Sequence, residues 1–511
     1  MARRARGSSP QPTVNNSAAS KNLRSDYSKS GRTAPGPSRS SVSGRAKVSQ
    51  SLPADLEAPV KKSERIVAHE APSIRSTRNR AQVLRQPKEP MKTWTESRFY
   101  AGLDWAKDHH DVVVVDPQGT IVADFRFAHT LEGWKQFQEK IAPFMPLAVV
   151  LETSQGMAVD QLMAAHCLVF ALHAKSAQRY RDRKIPSGNK TDRSDAWALA
   201  EALRTDGSQW APLQPGDPLA EQIRLLCRDE MSLIQQRTLL VNQLQQALYE
   251  YYPVVLEAFE DWTMESAWDF VIEFPTPQAL QKAGRRRWEK FLHAHHLWRQ
   301  KTAEERLAIF ARATEFCGAP TTLEAKSLLA LSLAKLLRTL QAQLNQYRQR
   351  IQQLSEQHPH HDLFDSLPGA GATLAPRLLG SLGAQPDRFE NHQALQCLAG
   401  TAPVSYQSGQ IHKVHLRYQC DKFLRQTVHL WSDCSRKTCT WAQVYYQKKR
   451  AEGKSHACAL RCLGQRWLKI LWKMWQTKTP YNPELHAANQ QKHGSWVLTL
   501  MPQKQTACSG E

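Results

Sequence analysis

An aspartate interrupts one of the most apolar stretches of this 511-residue chain. Asp104 stands in "FYAGLDWA" (99–106), whose aromatic and aliphatic residues have the composition of a β-strand. A carboxylate in that setting is costly unless it is paired or bound to a cation. The fold must therefore bring compensating groups to the middle of a strand. The following sequence supplies further elements. "DVVVVD" (111–116) and "TIVADFRFA" (120–128) read as two more strands, separated by the turn Asp116-Pro117-Gln118-Gly119. "TLEGWKQFQEKIA" (130–142) has helical spacing, with Thr130 as N-cap. "LAVVLE" (147–152) is a short, continuous apolar strand that ends in Glu152. A helix over 156–167, a strand over 168–174, a basic loop over 175–190 and the helix "TDRSDAWALAEALR" (191–204) complete the series. The order βββαβαβα predicts an α/β ribonuclease H-like domain over 98–210.

Asp192 and Asp195 lie three apart at the start of the last helix and so share one face. In a ribonuclease H-like sheet the strands of Asp104 and Glu152 are neighbours, and that helix packs against them. Four converging carboxylates repel one another in a low-dielectric site. Divalent cations relieve the repulsion, and oxygen ligands select Mg²⁺ or Mn²⁺. Two such ions about 4 Å apart clamp the attacking and leaving oxygens of a phosphoryl displacement. Each acid alone also has a structural reading. Asp192 and Asp195 suit a helix N-terminus, and Asp108, Asp111 and Asp116 look like turn residues. The catalytic reading rests on all four acids falling on the right elements of one fold.

The net charge of +21 suits a polyanionic partner, nucleic acid above all. Residues 1–97 hold 19 Lys and Arg against 7 Asp and Glu, and the remainder still carries +9. The 1–97 segment is poor in large apolar residues and is expected to be a disordered basic tail. Its role is either a salt-sensitive nucleic-acid contact or solubility. No run of 18 apolar residues appears, so no membrane span is expected, and the N-terminus lacks the apolar core of a secretory signal. Ten scattered cysteines without matched C-x-x-C pairs fit reduced thiols in a cytosolic protein rather than a zinc site.

Residues 216–360 are expected to form a helical coiled-coil arm. Leucines recur at three or four residues through 218–259 and again through 323–357. The two helices suit either an antiparallel pair or packing against a second protomer. The insert 260–320, rich in Trp and Arg, carries no clear pattern. A mostly α-helical C-terminal domain is expected over 361–480, with a tail over 484–511. It opens with "LFDSLPGAGATLAPRLLGSLG" (363–383), which reads as a helix-hairpin-helix. Gly369 and Gly371 would let backbone amides approach a nucleic-acid phosphate; the alternative is an ordinary bend between two helices.

"YAGLDWAKDHHDVVVVDPQG", "VVLETSQG" and "NKTDRSDAWALAEAL" resemble the three blocks of the DEDD transposases of insertion sequence family 110. "LPGAGATLAPRLLGSLG", "ALQCLAGTAPVSYQSGQ" and "RYQCDKFLRQTVHLWS" resemble that family's C-terminal transposase domain. The likeness covers about 99–480, with a gap near 260–320, and implies that the α/β ribonuclease H-like domain over 98–210 is RuvC-like. It implies Asp104, Glu152, Asp192 and Asp195 as a catalytic, metal-binding tetrad, and Ser408 of "PVSYQSGQ" as a catalytic nucleophile. It further implies a composite site with serine and carboxylates from different protomers, and a tetramer built as a dimer of dimers. The implied partners are double-stranded donor and target DNA and a noncoding guide RNA encoded by the element. The implied location is the bacterial cytoplasm, associated with the nucleoid. Two segments depart from the family pattern. Gln410–His415 replaces a lysine-led, glycine-containing basic run, and Cys420-Asp421 replaces Gly-Asn. Read without the family, Ser408 is an ordinary turn serine, and Lys413 and Arg417 nearby are cations that could offset a phosphate. Two other functions fit parts of the sequence: a structure-selective nuclease of the junction-resolvase type, and an inactive nucleic-acid-binding relative. The C-terminal serine argues against the first, and the complete carboxylate set against the second.

Overall fold

The computed structural model describes residues 94–184 and 191–501. Most of the expected basic tail, the end of the 175–190 segment and residues 502–511 lie outside the described residues.

The first part of the chain is a mixed sheet covered on both faces. Its elements are β1 (Phe99–Trp105), β2 (His109–Val115), β3 (Ile121–Ala128), α1 (Leu131–Ile141), β4 (Leu147–Leu151), α2 (Met157–Ala164), β5 (Leu168–Ala171), α3 (Ala174–Lys184) and α4 (Asp192–Asp206). The strand order is β3-β2-β1-β4-β5. β1 pairs antiparallel with β2 and parallel with β4. β4 is wholly buried, as its unbroken apolar sequence requires for a strand covered on both sides. The period-two alternation of the strands sorts the core into two layers. Ala101, Leu103, Val112, Val114 and Val149 pack with Trp134 and Phe137 of α1 and Leu162 of α2. Val150 and Phe170 pack on the other face with Ala177 of α3 and Leu199 and Leu203 of α4. Thr130 caps α1 by accepting a hydrogen bond from Gly133 N at 3.1 Å. This mixed α/β arrangement is consistent with a RuvC-like domain.

The rest of the described chain is mainly helical. α5 (Pro218–Tyr251) and α9 (Pro320–Glu356) are its two long helices. Between them come α6 (Glu265–Glu273), α7 (Pro277–Ala294) and α8 (Gln300–Ala311). α5 and α9 run antiparallel. Arg237 Nη1 donates to Gln341 Oε1 at 2.7 Å, Arg348 Nε to Glu230 Oε1 at 3.1 Å, and Lys326 lies 2.7 Å from Glu250. After α9 come α10 (His361–Asp365), α11 (Gly371–Leu382), α12 (His392–Leu398), a two-stranded ribbon of β6 (Val404–Ser408) and β7 (Ile411–His415), and then α13 (Lys422–Thr438), α14 (Thr440–Ala451), α15 (His456–Thr477), α16 (Pro483–Lys492) and α17 (Trp496–Thr499). Trp431, Trp467 and Trp475 are fully buried among these helices. No helix among the described residues is long and apolar enough to cross a membrane.

Four segments differ from the sequence reading. Residues 94–97, assigned to the tail, belong to the fold. The Trp94 ring lies 5.1 Å from that of Tyr100, and Ser97 is buried. The expected basic loop is the helix α3 as far as Lys184. Its Arg, Lys, Gln and Ala residues are good helix formers even without an apolar stripe, and Tyr180 and Arg181 fasten it to Asp206 and Asp195 of α4. The unassigned 260–320 stretch forms three helices, with Trp268 and Trp288 in a core shared with α5 and α9. Residues 484–501 are not a tail either: Val497 enters the C-terminal core and Trp496 stacks on Tyr445.

Candidate active site

The cap of α4 sets the positions of two of the four acids. Thr191 Oγ1 accepts from Ser194 N at 3.1 Å, and Thr191 N donates to Ser194 Oγ at 3.0 Å, closing a reciprocal capping box. Asp192 is thereby the first residue of the helix and Asp195 lies one turn on. The helix is pressed against β1 at Gly102. A Cβ there would stand 2.0 Å from Ala196 O and 2.5 Å from Ala200 N. Asp104 is two residues along β1 from Gly102 and so points to the same, α4-covered face.

Glu152 follows directly on β4, the parallel neighbour of β1. Asp104 and Glu152 thus reach the site from adjacent strand ends, with Asp192 and Asp195 on the overlying helix. The electrostatics register this convergence. Burial, followed by the charges of Asp195, Asp192, Glu152 and Asp111, raises the Asp104 carboxyl to about 6. Asp111 is the addition. It lies within β2, directly opposite Asp104 in the antiparallel register, and is not a turn residue. His109 joins it: its ring and the carboxylates of Asp111 and Asp192 offer ligand atoms all within 4.8 Å of one another.

Two arginines answer these acids. Arg126 of β3 holds Asp111 bidentately, at 3.0 and 2.9 Å, and reaches Asp192 Oδ2 at 3.0 Å. Arg181 of α3 donates to Asp195 Oδ1 at 2.6 Å. The sequence reading names none of His109, Arg126 and Arg181 as site residues, and takes Asp111 for a turn residue. The strand "DVVVVD" placed Asp111, but only the hairpin register sets it against Asp104. The donor set is one of hard carboxylate oxygens with one imidazole, and it leaves Asp104 under an excess of negative charge. That is the chemistry a divalent cation fits.

The C-terminal residues are disposed differently. Ser408 ends β6 at the tip of the ribbon, where Gly409, with φ of +56°, makes the turn. All ten strand residues of the ribbon are exposed. Lys413 pairs across the ribbon with Tyr406, and Arg417 Nε donates to Ala402 O at 3.3 Å. The 363–383 segment forms α10, a turn and α11. Gly369, with φ of +76°, lies against α13, where a Cβ would meet Ser435 N at 2.6 Å, whereas Gly371 faces open space. Close packing therefore accounts for Gly369. Asp421, at the second departure from the family pattern, caps α13 by accepting from Leu424 N at 2.9 Å.

Comparison with known proteins gives matches over both regions. A family model of DEDD transposases, described as a transposase, matches residues 101–253, and a second, described as transposase IS116/IS110/IS902 family, matches residues 361–447. The chain is 30% identical over 402 residues to the mini-circle putative transposase for IS117 of Streptomyces coelicolor, covering 76% of this chain and 97% of that protein. It is 27% identical to the insertion element IS900 uncharacterized 42 kDa protein of Mycobacterium paratuberculosis, over 75% of this chain and 97% of the relative. The insertion element IS110 uncharacterized 43.6 kDa protein of Streptomyces coelicolor is 25% identical, over 76% and 96%.

Proposed function

Because the chain belongs to the IS110 family of transposases, enzymes that cut and recombine DNA, we propose that it does so through a divalent-metal site on Asp104, Glu152, Asp192 and Asp195 and a nucleophile at Ser408. The observation that carries the metal site is the Asp104 carboxyl, pushed to about 6 by its own burial and four surrounding carboxylates. Mg²⁺ or Mn²⁺ bound there supplies Lewis-acid polarisation of a scissile phosphate. The protein's own groups do the remainder. The capping box of α4 and the contact at Gly102 fix the acids, and Arg126 and Arg181 hold Asp111, Asp192 and Asp195 in place.

Ser408 Oγ then attacks phosphorus and loses its proton, and one deoxyribose oxygen leaves as a hydroxyl. The product is a serine–DNA phosphodiester, so resealing by another strand's hydroxyl needs no outside energy. Lys413 lies on β7 of the same ribbon and Arg417 two residues beyond its end, where positive charge favours a phosphate. The full exposure of the ribbon supports a serine offered to carboxylates of another protomer, within a tetramer built as a dimer of dimers. Gly371, which faces open space at its turn, is a further candidate contact to the DNA backbone. Guidance by an element-encoded RNA rests on the family resemblance, and sequencing the RNA that co-purifies tests it; random cellular fragments alone would count against it.

One experiment tests the chemistry. Cleavage is expected to stop in EDTA and in Asp104→Asn or Asp195→Asn, with DNA binding nearly intact. A covalent adduct on a denaturing gel should be absent in Ser408→Ala and in each tetrad variant. Mixing a serine variant with a tetrad variant should restore part of the activity. An adduct formed by Ser408→Ala would sink the serine assignment, and cleavage in EDTA would sink the metal site.

A further inference from the structure

A cavity of about 380 Å³ opens where the β6–β7 ribbon joins the C-terminal helices. Its charged wall is all positive: Lys422, Arg425 and Arg461, with Gln426 and His429 beside them. Thr401 and Leu416, which flank the ribbon in sequence, complete one side. Three like charges share one concavity, and His429 lines it with them. Its imidazole is held below the usual value by burial, then by His456 and Arg461, against the weaker opposing charge of Asp433.

Two features mark the cluster as built to receive an anion. Lys422 and Arg425 occupy the first and fourth positions of α13. The helix dipole disfavours cations in a first turn, so these residues are not there for the helix. The Nη1 atom of Arg425 is also buried and has no acceptor among the described residues. A buried guanidinium N–H without an acceptor costs free energy until one arrives. Asp421, the carboxylate next to the cluster, is already engaged: one oxygen caps Leu424 N, and the other is held by Arg228 of α5 at 2.7 Å. Gly400, with φ of +64°, leaves passage for the Arg425 stem, since a Cβ there would stand 3.1 Å from Arg425 Cδ.

We propose that this cavity is a binding pocket for a backbone phosphate of DNA, with the Arg425 and Arg461 guanidinium groups and the Lys422 ammonium as its donors. A phosphodiester oxygen supplies the acceptor that Arg425 Nη1 lacks, and its charge offsets the three cations. DNA is the source favoured here because the family acts on it. The pocket lies at the root of the ribbon. A strand held there passes Ser408 roughly 15 Å away, at about 3.3 Å per strand residue, although the pocket stands whether or not that serine is the nucleophile.

The test is binding by the full chain in EDTA, so that cleavage plays no part. The probes are a labelled DNA duplex and a labelled single-stranded RNA of the same sequence, across a salt series. Lys422→Gln and Arg461→Gln are each expected to weaken duplex binding threefold or more and to lower the salt slope by about one. Lys473→Gln, on α15 outside the pocket, is the equal-charge control. Inorganic phosphate should raise the Tm of the wild type and not that of Arg425→Gln, a readout independent of any long probe. The proposal is overturned if the pocket variants weaken DNA binding no more than the control. It is overturned equally if the loss appears with RNA alone, or if phosphate stabilises Arg425→Gln as much as the wild type.

Discussion

Asp104 occupies a position that works against its own charge. Burial and neighbouring acids raise its carboxyl to about 6, so the folded chain binds that proton more tightly than the unfolded chain does. The stability it contributes is complete below the ordinary aspartate range, near pH 4, and is lost as pH rises through about 6. Without metal, the wild type therefore carries a penalty at pH 7 that it lacks in acid. Asp104→Asn has no charge to lose. In EDTA its Tm should exceed that of the wild type by a few degrees at pH 7, and the gap should close between pH 7 and pH 5. Mn²⁺ should then raise the wild-type Tm and leave the variant almost unmoved. Equal melting temperatures at pH 7 would mean that the acids do not burden one another. Asp104, Glu152, Asp192 and Asp195 were legible in the sequence because each falls at a recognisable place on a strand or helix. Asp111 and the arginines Arg126 and Arg181 were not. What matters about them is the residue opposite, set by a hairpin register for Asp111 and by the docking of α3 for Arg181, and neither leaves a local trace.

Among elements, the contact of α4 with β1 decides whether a site exists. At Gly102 the helix backbone fills the volume of a side chain, so Gly102→Ala must drive the two apart. Overpacking of this kind costs typically 1–3 kcal/mol, and the displacement carries Asp195 away from Asp104. The expected result is a lower Tm together with weaker Mn²⁺ binding, measured by titration. A variant that melts lower but binds Mn²⁺ as well as the wild type would separate the packing from the site. Periodicity made the strands and the long helices readable: β4 is a pure apolar run, and α5 and α9 carry leucines at helical spacing. α3 escaped because it has almost no apolar face; Ala177 is its buried apolar residue, and polar bonds to α4 hold the rest. The ribbon of β6 and β7 escaped because its residues are exposed on both sides, so no burial pattern alternates.

At the scale of the whole molecule, Glu230 of α5 ties three helices together. It accepts from Arg348 of α9 at 3.1 Å and from Arg377 of α11 at 2.8 Å, and both Glu230 and Arg377 are 3% exposed at the side chain. Glu230→Ala strands a buried guanidinium and should lower stability by about 3–5 kcal/mol. Replacing Glu230 and Arg377 together by methionine should restore most of that loss. Urea unfolding of the three proteins measures both, and a double variant as weak as the single one would refute the account. The sequence showed both long helices but not this join, which depends on residues 118 and 147 positions apart. The same helices have a mechanical consequence. Near its start α5 anchors Ile223 and Cys227 in the C-terminal core, and near its end Val241 to Tyr251 in the core of the insert, while α9 spans the same two cores in reverse. A helix of 34 residues is roughly 50 Å long, and two of them clamped at both ends stretch and bend little. The chain thus carries a ruler: whatever the two cores grip is kept at a set span, and a tilt of about 5° at one end swings the other by about 4 Å over that length.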